Sequence, residues 1–262
     1  MSLLINGASL DALVYAIYTL EGHLAPATLL RAPIERTDAP GGLATRVSVA
    51  ARTLSHTVDL RPLTLPDRIT LLETLLARCQ GVTELRISDA PDRRWWGVLQ
   101  AAPLIELADA PYSNPQATVT LVWRLDDPRA EAIEPTVLAL SGTATACPLW
   151  TGAVTPEVVL FGASTPVVNP VIEVVSPRGS VLSTLALTDS LGSGESLTID
   201  SSTEAVWRRS GGATTLALGV IASGAFPILD PLDSPRAGPW PALRLSATSG
   251  TPTGVVRYRK LA

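Results

Sequence analysis

Lysine, methionine and histidine are almost missing from this 262-residue sequence, which has one lysine (Lys260), one methionine (Met1) and two histidines. Only 17% of the residues are charged, and the formal net charge is −4. A general nucleic-acid binder needs clustered cations to neutralise phosphates, so this charge balance argues against that class. A GC-rich genome explains the shortage of lysine most simply, with a thermophilic host as the alternative.

Long apolar runs are also missing, although 46% of the residues are hydrophobic. Arg, Asp, Pro or Gly interrupts every run before it reaches the roughly 20 residues of a membrane-spanning helix. Residues 1–7 lack the basic region and long apolar stretch of a signal peptide, so we expect cytoplasmic synthesis without membrane insertion. A chain this apolar and weakly charged is expected to cover part of its surface against partners, as an assembly subunit does.

The cysteines and histidines show no metal-binding spacing. Cys79 and Cys147 lie far apart and form no C-x-x-C motif, so we expect both to be reduced and buried. His23 and His56 have no partner at a ligand spacing. The sequence therefore predicts no metal site and no cofactor.

None of the common catalytic motifs occurs in the sequence. The nucleophile elbow, the phosphate-binding loop and the dinucleotide fingerprint are all absent, and Asp189–Gly192 lacks the glycine that an aspartic-protease loop needs after its serine. A glycosidase needs only two carboxylates at a suitable separation in space, which a sequence does not exclude. We predict a protein that is not an enzyme, with a hydrolase as an alternative.

The composition changes near Pro135. Residues 1–135 contain 16 acidic residues, 12 arginines and 6 glycines, whereas residues 136–262 contain 8 acidic residues, 8 basic residues and 13 glycines. The stretch 126–135 is polar and bracketed by proline, as linkers often are. We therefore predict two domains, 1–135 and 136–262.

The first domain is predicted to be a β-sandwich-like arrangement of strands with one helix. The helix is expected over about 66–79, because Pro66 suits a first turn and Gly81 suits a stop. Apolar residues recur in it at helical spacing and are expected to face the core. This stripe consists of Ile69, Leu71, Leu72, Leu75, Leu76 and Cys79. The predicted strands are Thr45–Arg52, His56–Leu60, Glu84–Ser88, Arg94–Leu99 and Thr118–Leu125.

The second domain has no comparable helical pattern. Short apolar runs alternate with clusters of Gly, Pro, Ser or Asp, which is typical of an antiparallel sandwich or barrel. The predicted strands are Val158–Phe161, Val171–Val175, Val181–Leu187, Ser196–Ile199, Thr215–Ile221, Ala242–Ala247 and Gly254–Tyr258.

Tryptophan supplies the candidate interaction residues. Trp95 and Trp96 are adjacent, and neighbours on a strand point to opposite faces, so we predict one core residue and one interface residue. In the second domain, Trp150, Trp207 and Trp240 are each expected in the core or at a strand edge. Stacking on a sugar ring is the alternative for these three.

Several segments, in this order along the chain, resemble the distal tail proteins of siphophages. An aspartate-terminated strand leads to a basic-aromatic strand, and a later strand closes on an acidic-proline element. In the first half these segments are Leu3–Gly7, Thr83–Asp89, Pro91–Leu99 and Val119–Pro128, and in the second half they are Asn169–Val174, Gly194–Asp200 and Val255–Arg259.

The resemblance implies a structural virion protein of the tail tip or baseplate, assembled in the host cytoplasm. It implies a homohexameric ring at the end of the tail tube, closed by the N-terminal domains around a channel for DNA. It also implies a galectin-like C-terminal β-sandwich, and as partners the tail tube protein, a tail hub or tip protein and receptor-binding or side-fibre proteins. The alternatives are a free lectin-like carbohydrate-binding module and a cell-wall hydrolase.

Overall fold

The structure is a computed structural model that describes residues 3–9, 14–21, 29–35, 42–60, 65–100, 104–108, 116–150, 152–231 and 240–261. The described part is mainly β, with one α-helix. The chain divides into two compact units, Met1–Ala130 and Glu131–Ala262. The second unit thus begins inside the stretch 126–135, whose composition suggested a linker.

The N-terminal unit is built on one antiparallel sheet of order β2-β1-β7-β8-β10-β6-β3, with β9 paired to the first half of β10 and a separate β4–β5 hairpin. Its strands are β1 (Leu3–Ile5), β2 (Ala8–Ser9), β3 (Val14–Glu21), β4 (Leu29–Glu35), β5 (Gly42–Val49), β6 (Arg52–Leu60), β7 (Val82–Ile87), β8 (Arg93–Leu99), β9 (Leu104–Ala108) and β10 (Gln116–Leu125). The α-helix α1 (Leu65–Arg78) lies between β6 and β7 along the chain.

Alternation along the central strands places one face of this sheet in the core. In β10, Val119, Leu121 and Trp123 are buried, and the intervening side chains are more exposed. Leu121 pairs with His56 and Trp123 pairs with Leu54, which are both buried in β6. The alternation predicted for 118–125 is therefore confirmed.

The helix α1 begins and ends one residue before the predicted bounds. Leu75 and Cys79 are buried, but Ile69 is 51% exposed, so the prediction that the whole apolar stripe enters the core was wrong. The covered part of the helix is its C-terminal half, where the side-chain amide of Asn6 donates to the carbonyl of Arg78 at 3.2 Å. Ile69 lies in the N-terminal half of the helix, where most of the described side chains are exposed.

The C-terminal unit is an antiparallel β-sandwich. One sheet has the order β12-β24-β14-β19-β20-β21 and the other the order β13-β23-β16-β17-β22. The strands are β11 (Glu131–Ala132), β12 (Thr136–Leu140), β13 (Thr145–Ala146), β14 (Glu157–Phe161), β15 (Val167–Val168), β16 (Val171–Val175), β17 (Val181–Leu187), β18 (Ser190–Leu191), β19 (Ser196–Asp200), β20 (Ala205–Ser210), β21 (Ala213–Leu216), β22 (Ile221–Gly224), β23 (Ala242–Ser246) and β24 (Thr253–Tyr258).

The core of this sandwich lies between the inward faces of the two sheets. Val158 and Leu160 of β14 and Ile172 and Val174 of β16 are buried in one apolar cluster. In β14 and β19 the alternate residues point outward, which is the pattern of a two-sheet sandwich. The mainly β class and the sandwich predicted for the second half are confirmed.

One predicted strand of the second half was wrong. The run Thr215–Ile221 is not one strand, because β21 ends at Leu216, a 3₁₀ turn spans Leu218–Val220 and β22 starts at Ile221. The chain changes sheets here, since β21 belongs to the six-stranded sheet and β22 to the five-stranded one. An apolar run that crosses from one sheet to the other looks continuous in the sequence.

Both cysteines are free and buried, as predicted. Burial raises the pKa of the Cys79 thiol to about 11 and that of the Cys147 thiol to about 12. A thiol with a raised pKa stays protonated at neutral pH and is a poor nucleophile or metal ligand. These cysteines therefore act as small apolar residues of the two cores.

Candidate assembly surface

Two adjacent tryptophans of β8 lie on opposite faces of the N-terminal sheet. Trp95 is 4% exposed and pairs with buried Leu85 of β7. Trp96 is 41% exposed and pairs with Glu84. The structure thus places one indole in the core and the other on the outer face of the sheet, as alternation along a strand requires.

Three charged residues surround the outward indole. The guanidinium carbon of Arg94 lies 4.8 Å from the centre of the Trp96 ring, within the range of a cation–π contact. Arg94 also donates from Nη1 to Oε2 of Glu84 at 3.0 Å, and the Nε of Arg86 donates to Oε1 of Glu84. Partial burial raises the pKa of Glu84, but hydrogen bonds and charge from these arginines outweigh it and hold that pKa below its usual range.

Apolar side chains complete this surface, which we call the Trp96 face: Val82, Glu84, Arg86, Arg94, Trp96 and Val98. Val82 is exposed and pairs directly with Val98 of β8. An exposed Trp held by an arginine and flanked by valines resembles the composition of protein interfaces, which are enriched in aromatic residues and Arg. The ion network fixes the indole before any partner arrives, which reduces the entropy lost on binding.

Sequence reasoning pointed to the Trp95–Trp96 pair, without saying which indole faces outward, and missed the three charged neighbours of Trp96. Glu84 and Arg94 are ten residues apart, and only the β7–β8 register brings them to one face. The available signal was the turn at 89–92, which fixes that register; Ala90 and Arg93 donate backbone hydrogen bonds to close it. To predict the ion network, the residues of β7 and β8 would have had to be paired one by one, starting from this turn and ending at Glu84 and Trp96.

The other candidate tryptophans lie in the C-terminal unit. Trp240 packs against the core cluster, and Trp150 is half-buried. Trp207 of β20 is 40% exposed on the outer face of its sheet. The expectation of a core or strand-edge position thus fits Trp240 but not Trp207, because β20 is an interior strand of its sheet and the indole lies on its exposed face.

A shallow cleft of about 270 Å³ lies in the C-terminal unit. Its walls include the carboxylates of Glu157 and Asp200 and the guanidinium of Arg257. Arg257 and Glu157 form an ion pair at 3.3 Å. Asp200 accepts hydrogen bonds from the hydroxyls and amides of Ser202 and Thr203.

Asp200 does not fit the general acid that glycoside hydrolysis requires. Hydrogen bonds from Ser202 and Thr203 outweigh desolvation and lower the pKa of Asp200, so this group is ionised at neutral pH. A general acid needs a raised pKa instead. Burial does raise the pKa of Asp230, but that residue does not line the cleft.

Among the described residues of the C-terminal unit, the most connected ion network centres on Glu195. Arg208 donates from Nη2 to both of its carboxylate oxygens at 3.0 and 3.1 Å, and from Nη1 to Asp189 at 2.8 Å. The backbone N–H of Gly192 and the hydroxyl of Ser210 each donate to Glu195 at 2.8 Å. This network ties the 189–195 segment to β20.

Glu195 should make the C-terminal unit sensitive to acid. Hydrogen bonds from Gly192, Ser210 and Arg208 lower its pKa from 4.5 to about 2. A depressed pKa stabilises the fold above the unfolded-state value, and this contribution is lost as the pH falls from about 4.5 towards 2. In urea unfolding across that range, Glu195→Gln should differ most from the parent chain near neutral pH and least near pH 2. A difference independent of pH would contradict this account.

Among the described residues, no group of three or more His, Cys, Asp or Glu side chains is placed to hold a metal ion. His56 is buried in β6, whereas His23 lies outside the described residues. No helix in the described part of the chain is long and apolar enough to cross a membrane.

Comparison with solved structures reveals a match over the whole chain. The crystal structure of the Dit protein (gp 19.1) of phage SPP1, a paradigm of the hub adsorption apparatus in phages infecting Gram-positive bacteria, superposes with a TM-score of 0.73. The match covers 100% of this chain and 98% of that one at 15% sequence identity. This chain has the fold of SPP1 Dit.

Two further similar structures are baseplates. They are the phage p2 baseplate in its activated conformation with strontium, at 8% identity and TM-score 0.40, and the same baseplate with calcium, at 7% and 0.39. The matches cover 92% and 94% of this chain and 89% and 90% of those chains. No protein-family model and no curated protein matches the sequence.

Proposed function

We propose that this chain is a structural subunit of a phage tail tip, which joins the tail tube to the baseplate. The observation that carries the proposal is the likeness to SPP1 Dit, a hub protein, over nearly the full length of both chains. The division of the chain into two compact units supports two separate roles. The N-terminal unit closes a ring, and the C-terminal unit docks other proteins.

The ring is proposed to contain six copies around a channel through which DNA passes without specific binding. The N-terminal unit offers the Trp96 face as a ring contact, because it exposes a fixed indole beside apolar side chains. The excess of acidic residues in 1–135 suits a channel that must not retain DNA. The tail tube protein and a tail hub or tip protein are the proposed axial partners, and receptor-binding or side-fibre proteins dock on the C-terminal unit.

No catalytic step belongs to this function. We therefore expect that Asp200→Ala, Glu195→Ala and Glu173→Ala remove no activity, because Glu195 and Glu173 are ion-paired and Asp200 is held ionised by local hydrogen bonds. The measurement is release of sugars or peptides from bacterial envelopes by the parent chain and the three variants. A hydrolytic rate that one of these changes abolishes would show that the protein is a hydrolase.

A lectin-like module is the second candidate, and exposed Trp207 is the observation that favours it. Binding of the chain to a glycan array, lost in Trp207→Ala, would support this candidate.

The position of the chain in the virion tests the tail-tip proposal itself. Gold-labelled antibodies against the chain, imaged on virions of the phage that encodes it, should mark the end of the tail distant from the capsid. Label along the tube, on the capsid or absent from virions would contradict the proposal. Virions with the antibody epitope removed serve as the control for specific labelling.

A further inference from the structure

The six-stranded sheet of the C-terminal unit ends at an open edge. Strands β20 and β21 form a hairpin closed by Gly211 and Gly212, whose φ values of 58° and 86° match the two-residue turn that favours glycine. β21 is last in the strand order of its sheet. In the described part of the chain, the outer side of β21 therefore faces no further strand.

The register of the hairpin shows which backbone groups are unused. The N–H of Ala217 donates to the carbonyl of Val206 at 2.7 Å, so these two residues form a hydrogen-bonded pair. Bonded and non-bonded pairs alternate along antiparallel strands. Leu216 and Thr214 therefore sit in non-bonded pairs, and their N–H and C=O groups point away from the sheet.

A mostly apolar row, interrupted by Thr198, leads across the outer face of this sheet to the same edge. Trp207 and Leu216 are 40% and 53% exposed and pair directly, and side chains approach closely in a non-bonded pair. The row follows the register from strand to strand. Its members, from β12 to β21, are Ala139, Val255, Val159, Thr198, Trp207 and Leu216.

This edge lacks the usual protection against strand addition. Natural edge strands carry charged residues, proline or bulges, but β21 has the sequence Ala-Thr-Thr-Leu. Arg209 is exposed on the same outer face as Trp207, opposite Thr214, and has no ion pair with the residues that the structure describes. This uncompensated positive charge, one strand in from the edge, favours a partner with an acidic side chain.

We propose that this edge binds an extended segment of a partner protein, which adds to β21 as a further strand. Its backbone bonds to Thr214 and Leu216, an apolar side chain covers the Trp207–Leu216 pair, and an acidic side chain two residues away reaches Arg209. Strand addition of this kind draws affinity from the main chain and specificity from alternate side chains. The inference rests on the proposed docking role of the C-terminal unit and assigns the docking site to β21.

The test uses the full-length chain and a fluorescein-labelled peptide, Gly-Thr-Val-Thr-Val-Thr-Glu-Thr-Gly, in which valines and glutamate share one face. Fluorescence anisotropy should show a Kd below about 1 mM, which Leu216→Lys and Thr214→Pro each raise at least about tenfold. Proline at position 214 removes a backbone N–H that points away from the sheet, and it leaves the hydrogen bonds between β20 and β21 intact. Leu182→Lys is the matched control, because Leu182 is 48% exposed on the other sheet.

A second set of peptides tests whether Arg209 recognises an acidic side chain of the bound strand. A peptide with lysine in place of glutamate should bind more weakly to the parent chain and more tightly to Arg209→Glu. No binding at millimolar peptide, equal binding by all variants, or self-association that Leu216→Lys abolishes would each overturn the proposal, the last by assigning the edge to a second copy. A ring of six that binds no peptide would contradict strand addition and leave the proposed function standing. Peptide binding by a chain that always stays monomeric would support strand addition and contradict the proposed ring.

Discussion

Trp95→Ala should lower the free energy of unfolding of the N-terminal unit by about 3–5 kcal/mol, as truncation of large buried aromatic residues does. Trp95 is 4% exposed and pairs with buried Leu85, so its removal leaves a cavity inside the sheet's covered face. The measurement is urea unfolding followed by circular dichroism, at a protein concentration low enough to keep the chain unassembled.

Trp96→Ala is the matched control for that stability measurement. The same residue type on the same strand is here 41% exposed, so the expected loss is under about 1 kcal/mol, including the lost contact with Arg94. Equal destabilisation by the two variants would contradict the placement of the two indoles on opposite faces.

Trp96→Ala should instead disrupt assembly. If the Trp96 face is a ring contact, loss of the indole removes an aromatic anchor, and such residues often contribute 2 kcal/mol or more to binding, which is over tenfold in affinity. The expected result is a shift from ring to monomer in sedimentation velocity at micromolar concentration. Because the variant remains folded, the shift cannot be attributed to unfolding.

Trp207→Ala provides the control for assembly. Trp207 is 40% exposed, nearly the same as Trp96, but it lies in the C-terminal unit, so its loss should leave the ring intact. A ring that survives Trp96→Ala would contradict the assignment of the Trp96 face. A ring that is lost only in Trp207→Ala would move the contact to the C-terminal unit.

The sequence predicted those elements whose apolar pattern is regular. The bounds of β16 and β17 match the prediction residue for residue, and the alternation in 118–125 predicted the buried face of β10. The opposite orientations of Trp95 and Trp96 followed from strand geometry alone. Local periodicity suffices in these cases because neighbours along one strand determine which face is buried.

The sequence failed to predict features that depend on pairing between strands. β20 was missed because its outward Trp207 and its arginines, Arg208 and Arg209, disguise the alternation of a half-buried strand. The charge of Arg208 is compensated there by ion pairs with Asp189 and Glu195. The sequence does not reveal these pairs, because both partners precede β20 in the chain. The Gly211–Gly212 pair was the signal that could have revealed this hairpin.

The solution mass of the purified chain, measured by multi-angle light scattering and native mass spectrometry, tests the central claim most directly. One chain has a mass of 27.5 kDa, so a closed ring of six copies has a mass of about 165 kDa. The account predicts this species at micromolar concentration, and its loss in Trp96→Ala. A chain that remains at 27.5 kDa at the highest attainable concentration, and that forms no ring in assembled tails, would contradict it.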